Sequence, residues 1–129
     1  VIGMLIFFLG IFFTIELVTP LVLALVIVYG GDATMTLLYR KIYTNENIFD
    51  PHRHHIYQKI IDVYNVSHLK VALAYALIQL IVNFIVYKTY NLEFITQFTV
   101  FFILVIFFMI IYVLLFRMIR KKELFKNDN

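Results

Sequence analysis

Three of the chain's four histidines, His52, His54 and His55, fall within four consecutive positions, and Arg53 fills the remaining one. They belong to a polar stretch, residues 45–58 (Asn-Glu-Asn-Ile-Phe-Asp-Pro-His-Arg-His-His-Ile-Tyr-Gln), set between segments that are almost wholly apolar. A guanidinium offers a planar fork for two phosphate oxygens, and imidazoles donate hydrogen bonds or shuttle protons near neutral pH. The cluster is therefore suited to holding an anion. Asp50 can cap a helix and Pro51 suits its first position, so the pattern predicts a helix over residues 51–64. At ~100° per residue, Ile56, Tyr57, Ile60, Ile61, Val63 and Tyr64 fall on one side, and His52, His54, His55, Gln58, Lys59 and Asp62 on the other. Such a helix would lie along a membrane surface. Arg53 sits in its first turn, where unpaired N–H groups and the helix dipole favour negative charge. With two or three imidazoles beside it, the expected ligand is a phosphate or diphosphate.

Plainer readings of the same residues exist. A His/Arg cluster at an interface could hold lipid headgroups. It could bind metal, since His52 and His55 are three apart and could share a helical face, although structural zinc wants four ligands and none are obvious nearby. Asp32 lies at the edge of an apolar segment, where an acid is costly and often functional. Gly30-Gly31 before it and Thr34 and Thr36 after it make a structural break the stronger expectation. Glu16 reads as solvated, and Gln79 and Asn83, four apart, as hydrogen-bonding to a neighbouring helix. Phe101, Phe102, Phe107 and Phe108 read as lipid-facing or packing residues.

The elements that must position the cluster follow from composition. With 63% hydrophobic residues, a mean hydropathy of +0.90 and no Trp or Cys, the chain lacks the polar surface of a soluble domain and has no thiol chemistry. The expected fold is an all-α membrane protein of about four transmembrane helices, near residues 1–17, 21–40, 69–87 and 94–116. Residues 41–68 form the loop and 117–129 a tail that frays after Phe125. Tyr87, Tyr90 and Tyr112 are candidates for an interfacial aromatic belt. Ten of the eleven Lys and Arg residues lie in the region from Arg40 to Lys70 or in the tail, and only Lys88 in the opposite link. Loop and tail are thus both expected on the cytoplasmic side. A net charge of +3, divided between those two segments, gives no footprint for nucleic acid. The chain opens on Val1 within an apolar run that lacks a charged leader, so it is expected to be a fragment of a longer protein.

The order Gly31-Asp32-Ala33-Thr34, Leu37-Leu38-Tyr39-Arg40-Lys41, Glu46-Asn47-Ile48-Phe49, His52-Arg53-His54-His55-Ile56-Tyr57-Gln58 and Ser67-His68-Leu69-Lys70-Val71 resembles the C-terminal part of the polyprenyl-phosphate N-acetylhexosamine-1-phosphate transferases. The resemblance covers residues 29–71. His52, Arg53, His55, Tyr57 and Gln58 match one branch's His-Arg-x-His-x-Tyr-Gln pattern, which favours the branch that starts O-antigen and related surface polysaccharides, as in lipopolysaccharide biosynthesis. His52, His54 and His55 also match the His-x-His-His pattern of another. The resemblance implies a multi-pass enzyme of the bacterial inner membrane that moves a sugar 1-phosphate from a UDP-N-acetyl sugar to undecaprenyl phosphate, with magnesium as cofactor. His52, Arg53, His54 and His55 would grip the diphosphate, Arg40 and Lys41 would assist the lipid phosphate, and Asp32, Asn47 and Gln58 are structural or site-lining candidates. Membrane lipids are implied partners, and a homodimer is compatible. The family's adjacent aspartates and its Met-Gly-Asp-x-Gly-Ser-like loop have no counterpart here, so the magnesium ligands and catalytic residues are expected upstream of Val1 and the fragment alone is expected to be inactive. A membrane scaffold subunit and a metal-binding or transport component using the histidines are the alternatives.

Overall fold

The computed structural model describes residues 2–44 and 55–127, and among these there are helices and turns but no strand. In order they are α1 (Ile2–Glu16), α2 (Leu21–Ala24), α3 (Ile27–Tyr39), a π-helical turn Arg40–Thr44, α4 (Ile56–Tyr64), α5 (His68–Thr89) and α6 (Phe94–Asn127). Two segments, His68–Thr89 and Phe94–Glu123, are long and apolar enough to cross a membrane. A helix apolar on all sides belongs in lipid or in a protein core. Here Leu80 is 66% exposed and Ile95 77%, so no core covers them.

The two other expected spans take different forms. The first is α1, of 15 residues. The chain then turns at Val18, whose φ of 49° puts a β-branched residue in the left-handed region. Pro20 follows and leads into α2. The second expected span, residues 21–40, is interrupted between Ala24 and Ile27. An uninterrupted α-helix would join the Val28 N–H to the Ala24 carbonyl. Instead the Val28 N–H donates to Gln79 Oε1 at 3.1 Å and Gln79 Nε2 donates to the Ala24 oxygen at 3.0 Å. A side-chain amide from α5 is thus inserted into one backbone link, a recognised cause of a helix kink. Gln79 thus serves a neighbouring helix as expected, whereas its partner Asn83 accepts from Gln79 Nε2 at 2.8 Å within α5 itself.

The interruption does not fall at Gly30-Gly31-Asp32, where a break was expected, because α3 runs through all three. Gly31 has a packing role. A Cβ there would stand 2.6 Å from Tyr112 Cε2, so its absence lets α6 close on α3. Tyr112 is consequently buried, with its hydroxyl donating to the Val28 carbonyl, and is not part of an exposed belt. Tyr87 and Tyr90 are exposed. Of the phenylalanines, Phe108 packs inward while Phe102 and Phe107 face out.

These contacts set the register of three helices. Val28 meets Gln79 and Asp32 meets Tyr75, so α3 and α5 are antiparallel. Val28 meets Tyr112 and Tyr39 stacks on Phe116 at 4.6 Å, so α3 and α6 run the same way. Gln97 Nε2 closes the α5–α6 turn by donating to the Tyr90 and Leu92 carbonyls at 2.9 and 2.8 Å. The end of α3 and the end of α6 therefore lie together. Lys59 of α4 pairs with Glu123 at 2.8 Å, and Lys122 Nζ lies 4.0 Å from the centroid of the Tyr64 ring. These contacts hold the tail in helical form: α6 continues unbroken to Asn127, where fraying after Phe125 was expected.

Gly31→Ala is expected to lower thermal stability in detergent by about 1–3 kcal/mol, because the Tyr112 ring has to move. Gly30, with nothing within 4 Å of the same added atom, is the control. Gly30→Ala should leave stability unchanged or raise it by about 0.5–1 kcal/mol. Equal effects from the two would contradict the α3–α6 register.

Candidate functional site

Asp32 is on the second turn of α3, and its side chain is 3% exposed. Four donors converge on its carboxylate. Oδ1 accepts from the Thr36 hydroxyl at 3.2 Å and from the Ile56 N–H at 2.9 Å. Oδ2 accepts from the Tyr57 N–H at 3.3 Å and from the Tyr75 hydroxyl at 3.1 Å. Two carboxylate oxygens offer about four lone-pair sites, so this group is saturated. It has no capacity left to bind a metal or take a proton from substrate without breaking a structural bond. Its role is that of an anchor.

What it anchors is α4. Ile56 and Tyr57 are the first residues of that helix, and their N–H groups have no partner within it. His55, the residue before, has extended backbone (ψ 140°) and its side chain makes no capping bond. Asp32 supplies the cap from 24 residues away. This corrects the expected continuous helix over residues 51–64: His55 is extended and α4 starts at Ile56, where a buried carboxylate can reach the amides, while Asp50 and Pro51 lie outside the described residues. Asp32 thus occupies the first N–H groups of α4, while the anion site expected at His52, Arg53 and His54 lies outside the described residues.

The described part of the histidine cluster is His55. Its Nδ1 lies 3.6 Å from Asp32 Oδ1, and its ring stacks near that of Tyr57 with centroids 5.8 Å apart. His55 is thus held at the base of the loop with its side chain 31% exposed. His52, Arg53, His54 and Asn47 lie outside the described residues. Gln58 Nε2 donates to the Tyr57 hydroxyl at 3.1 Å, and its Oε1 is buried with no partner among the described residues. Arg40 is 1% exposed and extends the buried row Asp32, Thr36, Arg40 at four-residue spacing, while Lys41 is exposed.

Two residues at the anchor escape sequence reasoning. Thr36 was read only as part of a break, and Tyr75 was not singled out, although it precedes Gln79 by four and must share its face of α5. That spacing is the signal available in the sequence. The tyrosine rings also gather here, with Tyr75 5.5 Å from Tyr29 and 6.5 Å from Tyr57. With Ile61, His68, Val71 and Ala72 they line a cavity of about 200 Å³.

No three His, Asp or Glu side chains among the described residues are placed to share a metal ion. The closest approach, Asp32 with His55, joins two groups, one of them a saturated carboxylate. These residues do not fit a magnesium cage. Comparison with family models, with curated proteins and with solved structures finds no match for the chain.

Asp32→Asn preserves shape but turns one acceptor into a donor facing N–H and O–H groups. Exchange of the Ile56 and Tyr57 amides with deuterium is expected to speed up about tenfold or more, while the Gln97-closed turn keeps its protection. Asp32→Ala should cost about 3 kcal/mol of stability. Undiminished protection of both amides in Asp32→Asn would mean that something else caps α4.

Proposed function

We propose that this chain is the part of a membrane-bound UDP-N-acetylhexosamine:undecaprenyl-phosphate sugar-1-phosphate transferase that presents a His/Arg loop to the diphosphate of the nucleotide sugar. The observation that carries the reading is the Asp32 cap on α4. It fixes the C-terminal base of the loop against the apolar helices, as a loop must be fixed if it is to hold substrate in register with a lipid acceptor. The sequence resemblance over residues 29–71 supplies the reaction.

In that reaction a phosphate oxygen of the lipid attacks the β-phosphorus of the UDP-sugar. The bond from that phosphorus to the oxygen bridging to the uridine monophosphate half breaks, and UMP leaves. Negative charge builds on the bridging and non-bridging oxygens, and Arg53 with His52, His54 and His55 would stabilise it. Arg40 and Lys41 are assigned less directly: Lys41 is exposed and available to a lipid phosphate, whereas Arg40 is buried at the end of the row Asp32, Thr36, Arg40. The described residues build no metal cage, so the contribution read for them is positioning and positive charge.

The finer topology belongs to the same proposal. The chain makes four passes, α2 and α3 together forming the second, in a bacterial inner membrane. Loop and tail face the cytoplasm, where the soluble nucleotide sugar is. The pairing of α4 with the last turns of α6 supports a common side for the two.

The test is to express the reading frame containing Val1–Asn129 and follow UMP release from UDP-N-acetyl sugars with undecaprenyl phosphate and magnesium. Arg53→Ala is expected to lower turnover by about 10²-fold or more with membrane insertion intact. Full turnover in that variant, or no release with any sugar from folded protein, would sink the transferase reading in favour of a scaffold or metal-binding role.

A further inference from the structure

We propose that the bend between α2 and α3 is a two-state hinge, with the side chain of Gln79 as its releasable latch. The bend is not written into the local sequence. Ala24, Leu25, Val26 and Ile27 include neither Pro nor Gly, the residues at which helices usually kink. The backbone leaves helical geometry at Val26, with a φ of −127° and a ψ of 17°. What stands in the gap beside it is the Gln79 amide, brought from α5.

The hydrogen bonds of a bent and a straight form nearly balance. In the bend, Gln79 accepts from the Val28 N–H at 3.1 Å and donates to the Ala24 oxygen at 3.0 Å and to Asn83 Oδ1 at 2.8 Å. With the amide withdrawn, the Val28 N–H and the Ala24 carbonyl bond to each other as in any α-helix, and Gln79 keeps its bond to Asn83 on its own helix. Neither form orphans that backbone pair. They differ by one side-chain hydrogen bond, which favours the bend by a factor of about 2–10 in population. Room for the change exists. A cavity of about 250 Å³ lies against the bend, lined by Leu23, Val26 and Ile27 there, by Gly30 and Thr34 farther along α3 and by Phe101 of α6.

Straightened, residues 21–39 would form one helix of ~28 Å at ~1.5 Å per residue, close to a hydrocarbon core of ~30 Å and to the unbroken span that hydropathy predicts. Beyond the hinge, α3 is tied by Asp32 to α4 and α5. The moving part is therefore α2 together with α1, which packs on it where Gly10 faces Leu23. These two helices can reorient in the bilayer while the start of α4 stays fixed. The hinge does not depend on the transferase reading and would serve a scaffold subunit equally.

Spin-label distances in the full-length protein in lipid nanodiscs test this. The chain has no cysteine, so labels go on Phe12→Cys and Leu37→Cys, which flank the hinge, and on Leu37→Cys and Leu73→Cys, which do not; all three side chains are exposed. The first pair should show two distances and the second pair one. Gln79→Met, similar in size but without an amide, should shift the ratio about tenfold or more toward the straight form. Gln79→Asn, one methylene too short to bridge both backbone groups, should do the same and keeps the test decisive if the apolar variant is not recovered. Val28→Pro, with no N–H to give to Ala24, should remove the straight form altogether. A single distance for the first pair in the unsubstituted background, an unchanged ratio in either Gln79 variant, or a straight form that survives Val28→Pro would overturn the hinge. An equal change in the second pair would overturn it as well, by making the whole bundle the moving part.

Discussion

The structure depends on one buried carboxylate. Asp32 stands in a helix whose surroundings are apolar, where a charge is tolerated only when paired or fully hydrogen-bonded. It is satisfied by Thr36 on its own helix, by Tyr75 on α5 and by the two leading amides of α4. One side chain thereby ties three helices together. Removing it would leave two amides of α4 and the Tyr75 hydroxyl competing for acceptors that an apolar environment does not offer. The arrangement makes the start of α4 a property of α3, and so couples the end of the segment between them to the apolar helices.

The same logic recurs one turn away. Apolar helices in lipid gain little from burying one greasy face rather than another, so sparse polar groups and small residues decide which faces meet. Gln79 replaces a missing backbone link with two side-chain bonds, and Gly31 admits the ring of Tyr112, whose hydroxyl reaches the Val28 carbonyl. The α3 helix is thus held at Val28 and again at Asp32 by α5, and from the other side by α6. Because Gln79 and Tyr75 are four apart on α5, as Val28 and Asp32 are on α3, one antiparallel register satisfies both sites. Function, on the reading proposed, exploits that rigidity: a loop carrying His52, Arg53 and His54 is useful to a diphosphate only if its base does not wander.

Farther along α4 the contacts with α6 are made by charged side chains. Lys59 pairs with Glu123, and Lys122 lies over Tyr64, so charged side chains do at the end of α6 what Asp32 does inside. Such pairs are individually weak. They nevertheless join α4 to α6 beyond the uncharged run of α6, and the helix continues through that basic segment.

By itself, the sequence determined the helical class, the two long apolar helices and the polar, histidine-rich character of the segment before α4. These follow from hydropathy and run length, which act locally and need no partner. Gln79 was legible as a residue that serves a neighbouring helix, since an amide in an apolar stretch must find an acceptor or donor somewhere. The start of α4, the unbroken passage of α3 through Gly30-Gly31 and the burial of Tyr112 were decided only by tertiary structure. The local sequence carries no capping side chain for the amides of Ile56 and Tyr57, because the residue before them is His55, and a carboxylate supplied from 24 residues away takes them instead. Local rules count the groups within a few residues. Which distant group arrives to satisfy an unpaired amide is settled only when the helices pack.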